Sequence, residues 1–518
     1  MMTVITADHI PTARGVKKRG AVDGASGIGS NYRCNHNPFM RLPTSHSAPL
    51  RCLLLSAFLS AGSAVVAARS LDIPPEVEAA LVRAKVPREA VSFLVMDAQG
   101  QAAPRLSHRA DAPMNPASAM KLVTTYAALD LLGPSFTWAT PVFVEGAVRD
   151  GTLYGNLYIQ GQGDPRLVLE RLWLLLRRVQ GLGIQTIAGD IVLDQSAFSL
   201  PEHDPSRFDG DPLRPYNAAP DALLINFKSV VMTLAPDASG LTARVQYDPP
   251  LDGVQMQTTV PLVAGECGDY RGQLKADFSD PKRIRFNGVY AQSCGEKVWP
   301  VAYADPSNYA SRAVAGLWRD MGGKLQGSAH LGVVPAALLA KPTFEMRSAP
   351  LAEIIRDINK YSNNVMAQQV FLALGRSAGS VASFEASQTT VQRWWKDRIS
   401  AEGAPVLDNG SGLSRQERIS AQALGALLQS AYQSAVMPEL MSSLPITGID
   451  GTLRRAKNRN AGLAHLKTGS LANVVALAGY VHGAGGQRWV LVALINHANA
   501  NAARPALDAL VDWTARLR

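Results

Sequence analysis

Cysteine is scarce, with four in 518 residues, and none stands at a spacing that would make a metal site. The nine histidines are scattered rather than grouped, so metal chemistry is not written into the chain. Long apolar runs are missing too. The one conspicuous run, residues 53–68 (LLLSAFLSAGSAVVAA), falls short of the ~20 residues a membrane-spanning helix needs and is full of small side chains. Nowhere do basic and aromatic residues interleave as they do in nucleic-acid binders.

What is present bounds the answer from the other side. With 47% hydrophobic residues, a chain of this length can bury a large core and form two or three domains. The net charge is +9, but residues 1–68 hold seven Lys/Arg against Asp8 and Asp23, which leaves +4 for the rest. That mild excess suits a polyanionic surface such as cell wall or lipid, and equally serves plain solubility. The 53–68 run follows Arg51 and ends in small residues before Arg69, as an export signal does. The stretch ahead of it is long for such a signal, and Met40-Arg41 would open a conventional one, so residues 1–39 read as a start assigned too early. Cys52 lacks the small-residue context of a lipid-modified cysteine. Gly24-Ala25-Ser26-Gly27-Ile28-Gly29 imitates a dinucleotide fingerprint, but Lys17-Lys18-Arg19-Gly20 stands where a buried strand is required. Beyond the presequence only Cys267 and Cys294 remain. In an oxidising compartment they are expected to pair, stabilising by about 3 to 4 kcal/mol on the chain-entropy model.

In order along the mature chain, residues near 95 read as a strand, followed by a polar turn and a helix. Asn115 is placed as its N-cap and Pro116 at its first position, with the end at Gly133-Pro134. Ser118 and Lys121 then share a face. A serine hydroxyl needs a base to become a nucleophile, and a lysine serves if burial or a nearby cation lowers its pKa. A surface helix explains the pair as well when it is taken alone.

From about 140 to 345 the chain is rich in turns and β-prone segments. Residues 171–193 and 312–334 share a pattern of apolar helix, glycine stop, short strand, glycine and strand, which suggests a two-part insertion with similar halves. Between the halves, residues 200–300 carry both cysteines and further β-like runs, expected as a smaller nested domain. The helical period returns at Leu351, and Lys360-Tyr361-Ser362-Asn363-Asn364 separates two helices, with Asn364 a candidate cap for the second. Gly375-Arg376-Ser377-Ala378-Gly379 matches a nucleophile elbow, yet a helix precedes it where that motif needs a strand. Residues 408–414 form a tight polar loop that could border a site or simply turn, and residues 448–453 follow further on. The segments 474–481 and 489–495 read as neighbouring antiparallel strands, beside a third that carries Lys467-Thr468-Gly469-Ser470. Gly469 there would let a ligand come close to the backbone.

Ser-x-x-Lys, Ser-x-Asn and Lys-Thr-Gly in that order resemble the penicillin-binding proteins and serine β-lactamases. About 240 residues between Lys121 and Ser362 make the chain similar to the low-molecular-mass class C D-alanyl-D-alanine carboxypeptidases and endopeptidases. So do residues 161–165, 217–220, 408–415 and 448–454. The resemblance implies an α/β (α+β) domain of the serine β-lactamase and penicillin-binding transpeptidase type. Into it are set a large, mainly β, two-part inserted domain and a smaller nested domain. The implied division is a presequence (1–68), a catalytic domain (69–139 and 346–518), inserted domain II (140–199 and 300–345) and nested domain III (200–299). It further implies Ser118 as nucleophile, Lys121 as base, Ser362 as proton relay and Asn364 as holder of the substrate amide. Lys467 and Thr468, with Gly469 between the Thr and Ser470, would bind the terminal carboxylate. The N–H groups of Ser118 and Ser470 would form an oxyanion hole. No cofactor is implied. The partners would be peptidoglycan stem peptides in the periplasm and β-lactams as covalent inhibitors, with no nucleic acid and at most peripheral membrane contact. A β-lactamase and a silent wall-binding protein of the same fold are the competing readings.

Overall fold

The computed structural model describes residues 72–518 apart from 378, 380, 401 and 457–460. The export signal, the early start and the 24–29 glycine run lie outside the described residues, all of which belong to one compact unit.

A five-stranded antiparallel sheet organises the first and last parts of the chain. Its order is Leu106–His108, Val91–Asp97, Arg488–Asn496, Val474–His482 and Ala464–Leu471. Because successive strand residues point to opposite faces, Val91–Asp97 feeds two cores. Phe93 and Val95 pack with Val77, Leu81, Leu507 and Leu510 of the Pro75–Ala84 and Arg504–Ala515 helices. Leu94 and Met96 face the other way, onto helices Lys121–Leu132, Leu351–Tyr361, Asn364–Ser377 and Ala421–Tyr432. Both flanks being covered explains why these strands are almost continuously apolar instead of alternating. The Lys121–Leu132 helix lies inside this second layer, and its first nine residues are all buried. Serine N-caps start two surrounding helices. Ser383 accepts from Ala386 N (3.1 Å) and Ser420 from Ala423 N (3.0 Å), satisfying amides that the helix leaves unpaired.

The two similar segments of the insertion fold alike, each as a helix followed by two short strands, and their strands pair side by side. Thr186–Ile187 runs parallel to Lys324–Leu325, and Ile191–Asp194 parallel to Ala329–Leu331. Between them Ser229–Pro236, Thr242–Asp248 and Lys297–Ala302 anchor a further five-stranded sheet, and Cys267 and Cys294 are joined in a disulfide. One apolar cluster contains Leu172, Ile191 and Trp318 together with Met232, Val245 and Tyr290. Both sets of sheets therefore share a core.

Candidate active site

The chain reaches Ser118 through a turn held from two sides. Asn115 exchanges hydrogen bonds with the Asn496 side chain, donating its N–H (2.9 Å) and accepting at its carbonyl (3.0 Å). Its own Oδ1 accepts from Ala117 N at 2.8 Å. Ala117 has φ +47°, a left-handed conformation costing an L-residue about 1–2 kcal/mol. A 3-10 turn, Ala117–Met120, follows, and the α-helix starts only at Lys121. The expected helix start at Asn115-Pro116 is corrected accordingly. Asn115 accepts from the amide two residues on, as an N-cap does, but Ala117 interrupts the helix and leaves Ser118 on the tighter turn. Side chains three apart eclipse in a 3-10 turn, and Ser118 Oγ lies 3.0 Å from Lys121 Nζ.

Two glycines allow other segments to close on this turn. A Cβ on Gly412 would stand 2.0 Å from Ala117 O, and one on Gly469 would stand 2.4 Å from Pro116 O. At Gly469, then, what comes close is the chain's own carbonyl.

Ser362, in the left-handed conformation (φ +57°), ends the Leu351–Tyr361 helix. The cap of the next helix is Asn363, whose Oδ1 accepts from Met366 N at 3.0 Å, not Asn364 as the sequence suggested. Asn364 is thereby free for the site. Its Oδ1 accepts from Lys121 Nζ at 2.6 Å, and its Nδ2 donates to Tyr216 O of the insertion at 3.4 Å.

Ala464–Leu471 is the edge strand of the sheet, so it carries backbone groups that no further strand pairs. Its Lys467 Nζ donates to Ser362 Oγ (2.9 Å) and Thr468 O (2.8 Å). The Thr468 hydroxyl lies 2.8 Å from that of Thr452. The Ser470 hydroxyl accepts from Arg504 at 2.9 Å. Ser118, Lys121 and Asn364 form one hydrogen-bonded set and Ser362 and Lys467 a second, which the short Ser362–Asn364 turn and the effect of the Lys467 charge on Lys121 place side by side. Ser377 of the false elbow is elsewhere, exposed at a helix end with its hydroxyl donated to Leu374 O.

Both lysines are fully buried, which disfavours the charged form. Burial brings Lys467 down to about 7. Lys121 is also lowered well below its ordinary value, by burial first and then by the Lys467 charge, with Glu417 pulling the other way. A buried amine whose proton affinity is lowered in this way can serve as a base. The hydrogen bonds accommodate the neutral amine. Asn364 Oδ1 and the Ser411 carbonyl can only accept, so they take the two N–H groups of a neutral Lys121 amine. The remaining lone pair is left facing Ser118 Oγ.

Ser411, Thr452 and Arg504 carried no role in the sequence reading. The 408–414 turn was visible as a polar loop, but a backbone carbonyl such as that of Ser411 leaves no trace in residue identity. Among the described residues no group of three or more His, Cys, Asp or Glu could hold a metal ion.

The site sets a serine hydroxyl beside a buried lysine, an arrangement suited to a serine hydrolase. The comparisons narrow it. The chain is 28% identical to D-alanyl-D-alanine carboxypeptidase DacB of Haemophilus influenzae, over 73% of this chain and 80% of that protein. It is 26% identical to the D-alanyl-D-alanine carboxypeptidase of Actinomadura sp., over 76% and 75%. The crystal structure of penicillin-binding protein 4 from Haemophilus influenzae superposes with a TM-score of 0.64 at 25% identity, covering 84% of this chain and 99% of that one. Residues 75–517 match the D-Ala-D-Ala carboxypeptidase 3 (S13) family, and the chain belongs to it.

Proposed function

We propose that this protein cleaves the bond between terminal D-alanines of peptidoglycan stem peptides through an acyl-enzyme on Ser118, and that penicillin acylates the same serine. The observation that carries the reading is that the fully buried Lys121 amine stands 3.0 Å from the Ser118 hydroxyl, with Asn364 Oδ1 and the Ser411 carbonyl placed to take its two N–H groups in the neutral form. Lys121 takes the Ser118 proton as Oγ attacks the carbonyl, a step typically contributing 10² to 10⁴ in rate. Ser362, bonded to Lys467, passes a proton to the leaving amine, and Asn364 holds the substrate amide. Lys467 and Thr468 receive the terminal carboxylate beside Gly469. The amides of Ser118 and Ser470 receive the oxyanion, where one donor is typically worth about 3–4 kcal/mol. Water then hydrolyses the ester. The relatives' names support this substrate class, and the site supports the chemistry. All of these groups lie in residues 69–139 and 346–518, the part read as catalytic. Export to the periplasm by residues 53–68 belongs to the same proposal.

The test is to mix the protein with penicillin, follow intact mass over minutes to hours, and map any adduct. A lasting adduct on Ser118 is expected. Rapid turnover of penicillin without one would favour a β-lactamase, and no reaction from folded protein would favour a silent wall-binding protein.

A further inference from the structure

Glu417 lies outside the three motifs, yet it is fully buried. Backbone bonds between Val406 and Arg418 (2.9 and 3.1 Å) close the base of the loop that precedes it. The bridge between Met114 and Ile419 ties that base to the segment leading into Ser118. From there the Glu417 side chain turns in beneath the loop. Its Oε1 accepts from three successive backbone amides, those of Asp408 (3.2 Å), Asn409 (3.2 Å) and Gly410 (3.0 Å). Converging amides of this kind make a concave anion seat. The loop so gathered sends two carbonyls to the Lys121 helix. Gly410 O accepts from Thr124 Oγ1 at 2.6 Å, and Ser411 O accepts from Lys121 Nζ.

We propose that Glu417 is a positioning residue for acyl transfer: by gathering the 408–410 amides it holds the Ser411 carbonyl on Lys121 and so aims the lysine's lone pair at Ser118. This rests on Lys121 being the base. Reach matters here, not charge. Burial brings Glu417 up to about 7, and its Oε2 is buried with no hydrogen-bond partner among the described residues. A proton on Oε2 leaves Oε1 a carbonyl-like acceptor, so the same three amides are held in either form.

Two variants separate reach from charge. Glu417→Gln keeps an acceptor at the Oε1 position and removes the acid. Glu417→Asp keeps the acid and withdraws it by one methylene. The rate of acylation by a fluorescent penicillin is measured at saturation and at low concentration, and expressed per serine that reacts at completion. A variant that only folds poorly then loses amplitude and not rate. The expected result is Glu417→Gln within about threefold of the parent and Glu417→Asp slower by tenfold or more, with the loss in the saturated rate and not in the non-covalent affinity. An Asp variant as fast as the Gln variant, or a Gln variant as slow as the Asp one, overturns the proposal. If the parent chain takes no adduct on Ser118, the reading of the site itself fails, and the positioning role falls with it.

Discussion

Two regions of the site bury lysines and equip them differently. Lys360, two residues before Ser362, donates to the Asp450 carboxylate and to Leu444 O, each at 2.6 Å. Asp450 also accepts from Ile446 N at 2.8 Å, so the pair pins the Leu351–Tyr361 helix to the 446–450 turn. Among the described residues, Lys121 and Lys467 bond only to hydroxyls and carbonyls. A carboxylate beside a buried ammonium compensates its lost hydration, whereas neutral acceptors compensate it poorly and push the group toward the amine. The counter-ion therefore divides a lysine that holds structure from one that can do chemistry.

The sharpest break in that comparison is made at the serine. Ser118→Ala is expected to abolish the penicillin adduct in intact-mass spectra without lowering the thermal midpoint, since the side chain is only half buried and, among the described residues, bonds to Lys121 alone. An adduct that persists would move the nucleophile elsewhere. Next in size, Lys121→Met should slow acylation by about 10²–10⁴ while leaving stability level or higher, because it removes a buried amine that has no counter-ion. Lys360→Met should do the reverse. It leaves Asp450 unpaired, which in a fully buried pair would cost about 3–5 kcal/mol. Asp450 is a third exposed, so about 1–3 kcal/mol is expected by denaturant unfolding, with acylation nearly unchanged. If the two variants behave alike, the division between the lysines is wrong.

These contrasts also mark what the sequence could reveal. The three motifs were legible because each puts reactive side chains at a fixed spacing on one element, and the strands at 474–481 and 489–495 were legible as apolar runs. The helix start at Asn115 was misread because Asn115 belongs to a turn bonded to Asn496, 381 positions away, and is followed by left-handed Ala117. The cap was assigned to Asn364 because Asn363 is an equally good capping residue and only the fold decides which faces the helix. Glu417 was missed because its partners are backbone amides, and the Ser411 carbonyl because any residue would supply one.

A third test uses pH. Lys467 must carry its proton to receive a carboxylate, and in the free enzyme it titrates near 7. Peptidase kcat/KM, which reports free-enzyme groups, is therefore expected to fall about tenfold per pH unit above that point. Lys467→Arg keeps the cation at every accessible pH, so its lower maximum should come with a plateau that extends beyond pH 9. A wild-type profile flat to pH 9 would mean that Lys467 stays charged without help.

The smallest effect is the most direct measure of burial. Unfolded, Lys467 titrates near its ordinary value of about 10.4; folded, it does so near 7. Between those two points the unfolded chain binds the extra proton, so the folded state gains stability as pH rises, by up to about 1.4 kcal/mol per unit. Below 7 the folded state must bury a charged Lys467 and the gain is absent. Lys467→Met has no such slope of its own, and it relieves Lys121 of the Lys467 charge, which raises the Lys121 proton affinity in the folded variant and flattens its profile further. Denaturant unfolding at pH 7, 8 and 9 should therefore show the parent gaining on the variant at each step. A constant difference would mean that Lys467 keeps its ordinary proton affinity when folded. It would then be a structural cation like Lys360, and the carboxylate-free surroundings would not be what sets it apart.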